Sequence, residues 1–248
     1  MSDLTLITPD WPAPARVRAA VTTRAGGVST EPYVSLNLGS HVGDDIANVR
    51  ENRRRIVEAL RLPREPTWLN QVHGTSVIDA AREYLEPPTA DASFTHTAGH
   101  VCAVLTADCL PVLFCDAKGE AIAAAHAGWR GLVGGVLAET IKAFDVPGPR
   151  IRDWLGAAIE QDAFEVGEEV REQFVARDPG FAAGFVRNDR NRWQADIYAL
   201  ARHELAQLGI HNVHGGGFSC FADEKRFFSY RREQRTGRMA SLIWIDAN

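Results

Sequence analysis

The pattern of apolar and polar positions divides the chain into short units. Across residues 45–62, Ile46, Val49, Ile56, Val57 and Leu60 recur at helical spacing, while Arg50, Arg53, Arg54 and Arg61 decorate the rest. This predicts an amphipathic helix with a solvated basic face. Short apolar or β-prone runs bounded by turn residues predict strands at 67–72, 101–106, 110–115 and 121–125. Periodic segments at 131–144, 166–177 and 196–208 predict helices, the last stopped by Gly209 in a suitable C′ position, and 242–245 predicts a closing strand. The prolines at 12 and 14, 63 and 66, 87 and 88, and 147 and 149 fall between these units as turns. No repeat, heptad array or Gly/Ser/Pro-rich linker interrupts the chain, so 1–248 is expected to form one domain. Strands alternate with helices, yet cluster around 101–125. The expected fold is therefore a layered α/β protein with mixed sheets rather than a doubly wound one.

Composition narrows the partners. Of 248 residues, 45% are apolar and 24% charged, which excludes bulk disorder. The net charge of −5 argues against a nucleic-acid-binding protein, because phosphate-backbone affinity is built from surplus Lys and Arg. A local basic pocket for a single phosphate is still compatible with it. No run approaches the roughly 18 apolar residues of a membrane span, and the first residues lack the basic flank and apolar core of a secretory signal. Cys102, Cys109, Cys115 and Cys220 are then expected as reduced thiols of a cytoplasmic protein. A cysteine with a special task here is a ligand or a nucleophile before it is half of a disulfide.

Three segments share a design in which a strand ends in a metal-capable side chain followed by a turn. They are Thr67-Trp68-Leu69-Asn70-Gln71-Val72-His73-Gly74, Val104-Leu105-Thr106-Ala107-Asp108-Cys109-Leu110-Pro111 and Ile122-Ala123-Ala124-Ala125-His126-Ala127-Gly128-Trp129-Arg130-Gly131. Strands running side by side would bring His73, Cys109 and His126 to one sheet edge, where α/β proteins commonly hold ligands. Two imidazoles and a thiolate suit Zn²⁺, and three protein ligands leave a fourth position open, as in catalytic zinc sites. Separations of 36 and 17 residues match no standard ligand pattern, however, and a buried Cys or His at a strand end equally well serves packing.

The same segments, with Thr22-Thr23-Arg24-Ala25-Gly26-Gly27-Val28-Ser29, Ser35-Leu36-Asn37-Leu38-Gly39, His41-Val42-Gly43-Asp44, Phe228-Ser229-Tyr230-Arg231-Arg232 and Thr236-Gly237-Arg238-Met239-Ala240-Ser241, closely resemble the bacterial YfiH family. That family is also called the laccase-domain or multicopper polyphenol oxidoreductase family, and peptidoglycan editing factor. The resemblance runs nearly end to end. It implies an α-β-β-α sandwich and a zinc site on His73, Cys109 and His126. The chain departs from the family after Trp154-Leu155-Gly156, where Ala157-Ala158-Ile159-Glu160-Gln161 replaces a Gly-Pro turn.

The resemblance also implies purine nucleoside phosphorolysis, in which adenosine, inosine or 5′-methylthioadenosine plus phosphate gives base and ribose 1-phosphate, with adenosine deamination alongside. The expected partners are a purine nucleoside and phosphate, with no nucleic acid and no membrane, on a monomer or homodimer. Cys109 and His126 are the expected catalytic pair. Arg130, in a Gly-Trp-Arg-Gly turn between a strand and a helix, is the expected phosphate ligand. Gln71, Tyr230 and Arg24 are expected at the pocket, and Asp108 behind a metal ligand, orienting it. Phe218, Phe221, Phe227, Phe228 and Tyr230 either stack a purine or belong to the core. Copper also suits a His₂Cys set. A multicopper oxidase, though, leans on many histidines, several in His-x-His pairs, and this chain has eight with no two separated by one residue. Two other readings stay open: an amidohydrolase editing peptidoglycan precursors, and a metal-free Cys109–His126 thiol hydrolase.

Overall fold

In the computed structural model, residues 4–247 are described. Two sheets lie face to face. One has the order β1 (Leu6–Ile7), β2 (Val17–Thr22), β13 (Met239–Ile245), β5 (Val101–Thr106). The other runs β12 (His214–Gly215), β8 (Ile151–Leu155), β6 (Leu110–Asp116), β7 (Ile122–Ala127), β4 (Ala92–Thr95), β3 (Val77–Asp79), and is mixed, with parallel pairs at β12–β8 and β3–β4. A small antiparallel sheet, β10 (Phe185–Arg187), β11 (Trp193–Ala195), β9 (Glu165–Val166), stands apart. Strands β5, β6, β7 and β13 are buried along their whole length, because both faces of each are covered.

Side-chain parity shows the layers. Leu113, Cys115, Ile122 and Ala124 of one sheet pack with Cys102, Val104, Ile243 and Ile245 of the other. The outer face of the first sheet, through Ala103, Leu105 and Leu242, packs on Ile56 of α1 (Ile46–Leu60). The outer face of the second, through Val112, Phe114, Ala123 and Ala125, packs on Leu137, Phe174 and Leu205. Those residues belong to α3 (Val136–Phe144), α4 (Glu168–Arg177) and α5 (Ile197–Gln207). The result is helix, sheet, sheet, helix, as expected.

Local chemistry explains where the expected elements shift. Segment 67–72 is no strand; it makes only isolated bridges, Thr67 with Cys102 and Asn70 with Thr89. Its apolar run is held by a side chain instead of a ladder. The Gln71 amide donates to the Leu105 carbonyl (2.8 Å) and accepts from the Leu105 N–H (2.7 Å). The expected helix over 131–144 starts earlier and is split into α2 (Trp129–Gly134) and α3, because Gly135 sits at φ 93°. Helix α4 begins at Glu168, since Glu165 and Val166 are used by β9. Gly209 does end α5, at φ 78°.

Candidate metal centre and its cavity

Pairing of β6 with β7 opposes Pro111 to His126 and Leu110 to Ala127, so the next residues outward, Cys109 and Gly128, are neighbours across the hairpin. His126 shares the parity of Ile122 and Ala124 and therefore faces the space between the two sheets, at the end where β7 leaves it. His73 arrives from the turn after Gln71, with its backbone in the left-handed region at φ 59°. One nitrogen or sulfur from each of His73, Cys109 and His126 lies within 4.8 Å of the others. Cys109 Sγ is 3.8 Å from His73 Nε2, and the two imidazole rings meet edge to face at 4.9 Å.

Electrostatics within this group are strong. Burial opposes ionisation of Cys109, but His126 and then His73 outweigh it and bring the thiol down to about 6. Burial likewise opposes charge on His126, yet the Cys109 thiolate and the Asp91 carboxylate raise its pKa to about 9. The other three cysteines are free and buried, with thiols pushed well up. Asp91, unforeseen in the sequence, accepts from His126 Nδ1 at 2.8 Å and from backbone N–H groups of the His73 turn. It sits just before β4, in a stretch with no motif, and no local pattern marks it.

The three side chains line a cavity of about 530 Å³. Its walls include Gln71, Trp129, Arg130, Ile159, Phe164 and Tyr230, and two further arginines, Arg231 and Arg238, line it together with His41. Gln71 thus lines the cavity, with its amide committed to Leu105. The Arg130 guanidinium stacks on Trp129 at 4.4 Å and pairs with no carboxylate among the described residues. Burial and Arg238 keep His41 below its ordinary pKa. His41 and Arg238 stand in segments tied to the resemblance, but nothing local marks them as pocket residues.

Two expectations need correction. Arg24 does not line this cavity; its guanidinium is consumed by Val34 O, Glu224 O and Glu233 Oε1, over the Phe228 ring. The Asp108 carboxylate makes no hydrogen bond to His73, Cys109 or His126. It sits in a turn at φ 92°, and its Oδ2 accepts from the Arg231 N–H at 2.6 Å, anchoring α6 (Tyr230–Glu233) beside the cavity. Of the five carboxyl-terminal aromatics, Tyr230 alone lines the cavity; Phe227 and Phe228 are fully buried core. The Glu160-Gln161 departure leaves Ile159 on the wall, held by its N–H on the Asp108 carbonyl.

The fold and the site define a layered α/β protein with an arginine-lined cavity and a His, Cys, His cluster in its wall. Residues 18–246 match the family described as multi-copper polyphenol oxidoreductase laccase, and the chain belongs to that family. It is 55% identical to purine nucleoside phosphorylase PA4543 of Pseudomonas aeruginosa, over 96% of this chain and 98% of that one. It is 52% identical to purine nucleoside phosphorylase YfiH of Escherichia coli, over 97% and 98%. A solved Neisseria meningitidis protein superposes with a TM-score of 0.94 at 51% identity, covering 98% of this chain and 99% of the other. YlmD from Geobacillus stearothermophilus superposes at 0.85, with 28% identity over 95% and 96%. No helix among the described residues is long and apolar enough to cross a membrane.

Proposed function

We propose that this chain, read as one catalytic domain over 1–248, is a zinc-dependent purine nucleoside phosphorylase of the cytoplasm. It would convert adenosine, inosine or 5′-methylthioadenosine with phosphate into base and ribose 1-phosphate, and deaminate adenosine as a side activity. The observation that carries this reading is one cavity joining a three-donor cluster to an unpaired arginine. Full-length similarity to proteins named purine nucleoside phosphorylases supports it. Four free thiols among the described residues support the cytoplasm.

The donors fit zinc. Bonds of about 2.0–2.3 Å in a tetrahedron hold ligands roughly 3.3–3.6 Å apart; Cys109 Sγ and His73 Nε2 stand at 3.8 Å and all three donors within 4.8 Å of one another, so a small inward movement would bring them onto one ion. His73, Cys109 and His126 would hold the ion, the thiol already poised to lose its proton. When bound, it supplies Lewis acidity beside the cavity. The chain's own residues do the rest. Arg130 offers a planar fork of donors to phosphate, while Ile159, Phe164 and Tyr230 give the base and ribose an apolar wall to pack against. An oxygen of hydrogen phosphate then attacks C1′ as the glycosidic bond breaks; the bond's electrons pass to the purine, which takes up the proton that the phosphate gives up.

Chromatography of adenosine incubations with and without phosphate tests this. Adenine formed only with phosphate is the expected result. Inosine alone would reduce the activity to deamination, and unchanged adenosine would transfer weight to amide hydrolysis of cell-wall precursors. Metal analysis of the purified protein separates zinc from copper. A second reading rests on Cys109 standing close to His126, each favouring the charged form of the other, a pairing that would suit a thiol hydrolase. Alkylation of Cys109 before and after chelation distinguishes it, because a metal-bound thiolate resists the reagent.

A further inference from the structure

We infer that Asp91 is the positioning residue of the cluster, fixing which nitrogen of His126 carries the proton and holding closed the turn that presents His73. The inference rests on the metal reading above and concerns how that site is assembled.

Asp91 is fully buried, yet every lone-pair direction of its carboxylate is used. Oδ1 accepts from the His73 N–H at 2.9 Å and from His126 Nδ1 at 2.8 Å. Oδ2 accepts from the N–H groups of Gly74 at 2.6 Å and Val72 at 3.2 Å. Its own carbonyl accepts from the His126 N–H at 2.7 Å. One side chain therefore joins two of the three candidate ligands, which lie 18 and 35 residues away in sequence. Cys109 needs no such link, because the β6–β7 ladder already places it.

Two consequences follow from the donors. A proton on Nδ1, given to Asp91, leaves the Nε2 lone pair of His126 for the cluster, and the other tautomer would set two acceptors against each other. Three consecutive N–H groups converging on one carboxylate stabilise a turn in which His73, a residue with a Cβ, adopts positive φ. An amide cannot replace this carboxylate. All four side-chain partners are donors, so the Asn NH₂ group would face a donor wherever it pointed.

The test uses the full-length protein. Competition with a chromophoric chelator should show Asp91→Asn binding zinc about 10–100-fold more weakly than wild type. Asp153→Asn, an equally buried acid on β8 that does not line the cavity, should bind as wild type does. Nitrogen-15 NMR of zinc-loaded wild type should show His126 protonated at Nδ1, with that proton protected from exchange. Equal affinity in Asp91→Asn, or a proton on Nε2 of His126 in wild type, overturns the inference and leaves the metal reading standing. A wild-type protein that takes up no stoichiometric zinc removes the metal reading itself, and this inference with it. Should Asp91→Asn fail to fold, the wild-type spectrum still decides.

Discussion

A Cβ built on Gly128 would lie 2.8 Å from His73 Cδ2 and 2.9 Å from Cys109 Sγ. The glycine is there for space, since its backbone conformation is ordinary (φ −66°). Gly128→Ala should push both ligands outward and lower zinc affinity and turnover about 100-fold, the cost of displacing reacting groups by an ångström. Thermal unfolding of the metal-free variant should stay close to wild type; a large loss of stability there would make the effect structural instead. The cysteine carries its own prediction. A thiol brought from its ordinary 9.0 down to about 6 is mostly thiolate at pH 7. Alkylation of zinc-stripped protein should therefore rise through a midpoint near pH 6 and level off above it. Zinc should suppress this phase and Cys109→Ser should remove it, since the other thiols are buried with raised pKa values. A midpoint near 9 would mean that the imidazoles do not support the thiolate.

Strand β8 contains an acid that the sequence does not flag. Asp153 is fully buried, neither carboxylate oxygen has a hydrogen-bond partner, and burial lifts its pKa to about 7 against the weaker pull of Arg202. Between its ordinary value near 3.8 and 7, the unfolded chain has lost this proton while the folded chain keeps it. Folding is thus favoured least once pH exceeds 7, and the penalty is absent below about 4. Asp153→Asn should gain on wild type by a few kcal/mol as pH rises from 5 to 8, as read by urea denaturation at both values. A pH-independent difference would show that the acid is paired or solvated. The same contrast explains what could be read from the chain beforehand. Buried strands such as Val101–Thr106 and Ile122–Ala127 are continuous small or apolar runs; Cys109 stands in the turn after the first and His126 near the end of the second, so strand and ligand appear together in sequence. Residues 67–72 have the same look but are held by the Gln71 amide, a contact made 34 residues away. Asp91 depends wholly on tertiary meetings, and Arg24 faces Glu233 across 209 residues, so neither role is visible locally.

At the scale of the molecule, a chain of net charge −5 concentrates Arg130, Arg231, Arg238 and His41 around one cavity. The four are not equivalent. Arg231 spends its guanidinium on Ala163 O and Glu165 O, and Arg238 caps Thr236 O and Gly237 O through Nη1. Arg130 rests on Trp129 at the start of α2 without an acidic partner among the described residues, so an incoming dianion is what its donors lack. An acidic surface repels phosphate over long distances, and only this local field draws it in. Replacing Arg130 with Met keeps much of the stem against Trp129 and removes the fork. A charged hydrogen-bond pair of this kind contributes about 1.5–3 kcal/mol, so the KM for phosphate should rise roughly 10–100-fold. The KM for the nucleoside should move much less. Arg130→Lys should recover only part of the loss, because a point charge cannot reproduce a two-pronged contact. Raising ionic strength should weaken phosphate use in wild type and hardly affect Arg130→Met. Should phosphate KM stay unchanged in both variants, the anion is held elsewhere in the cavity, and Arg238 with His41 becomes the pair to replace next.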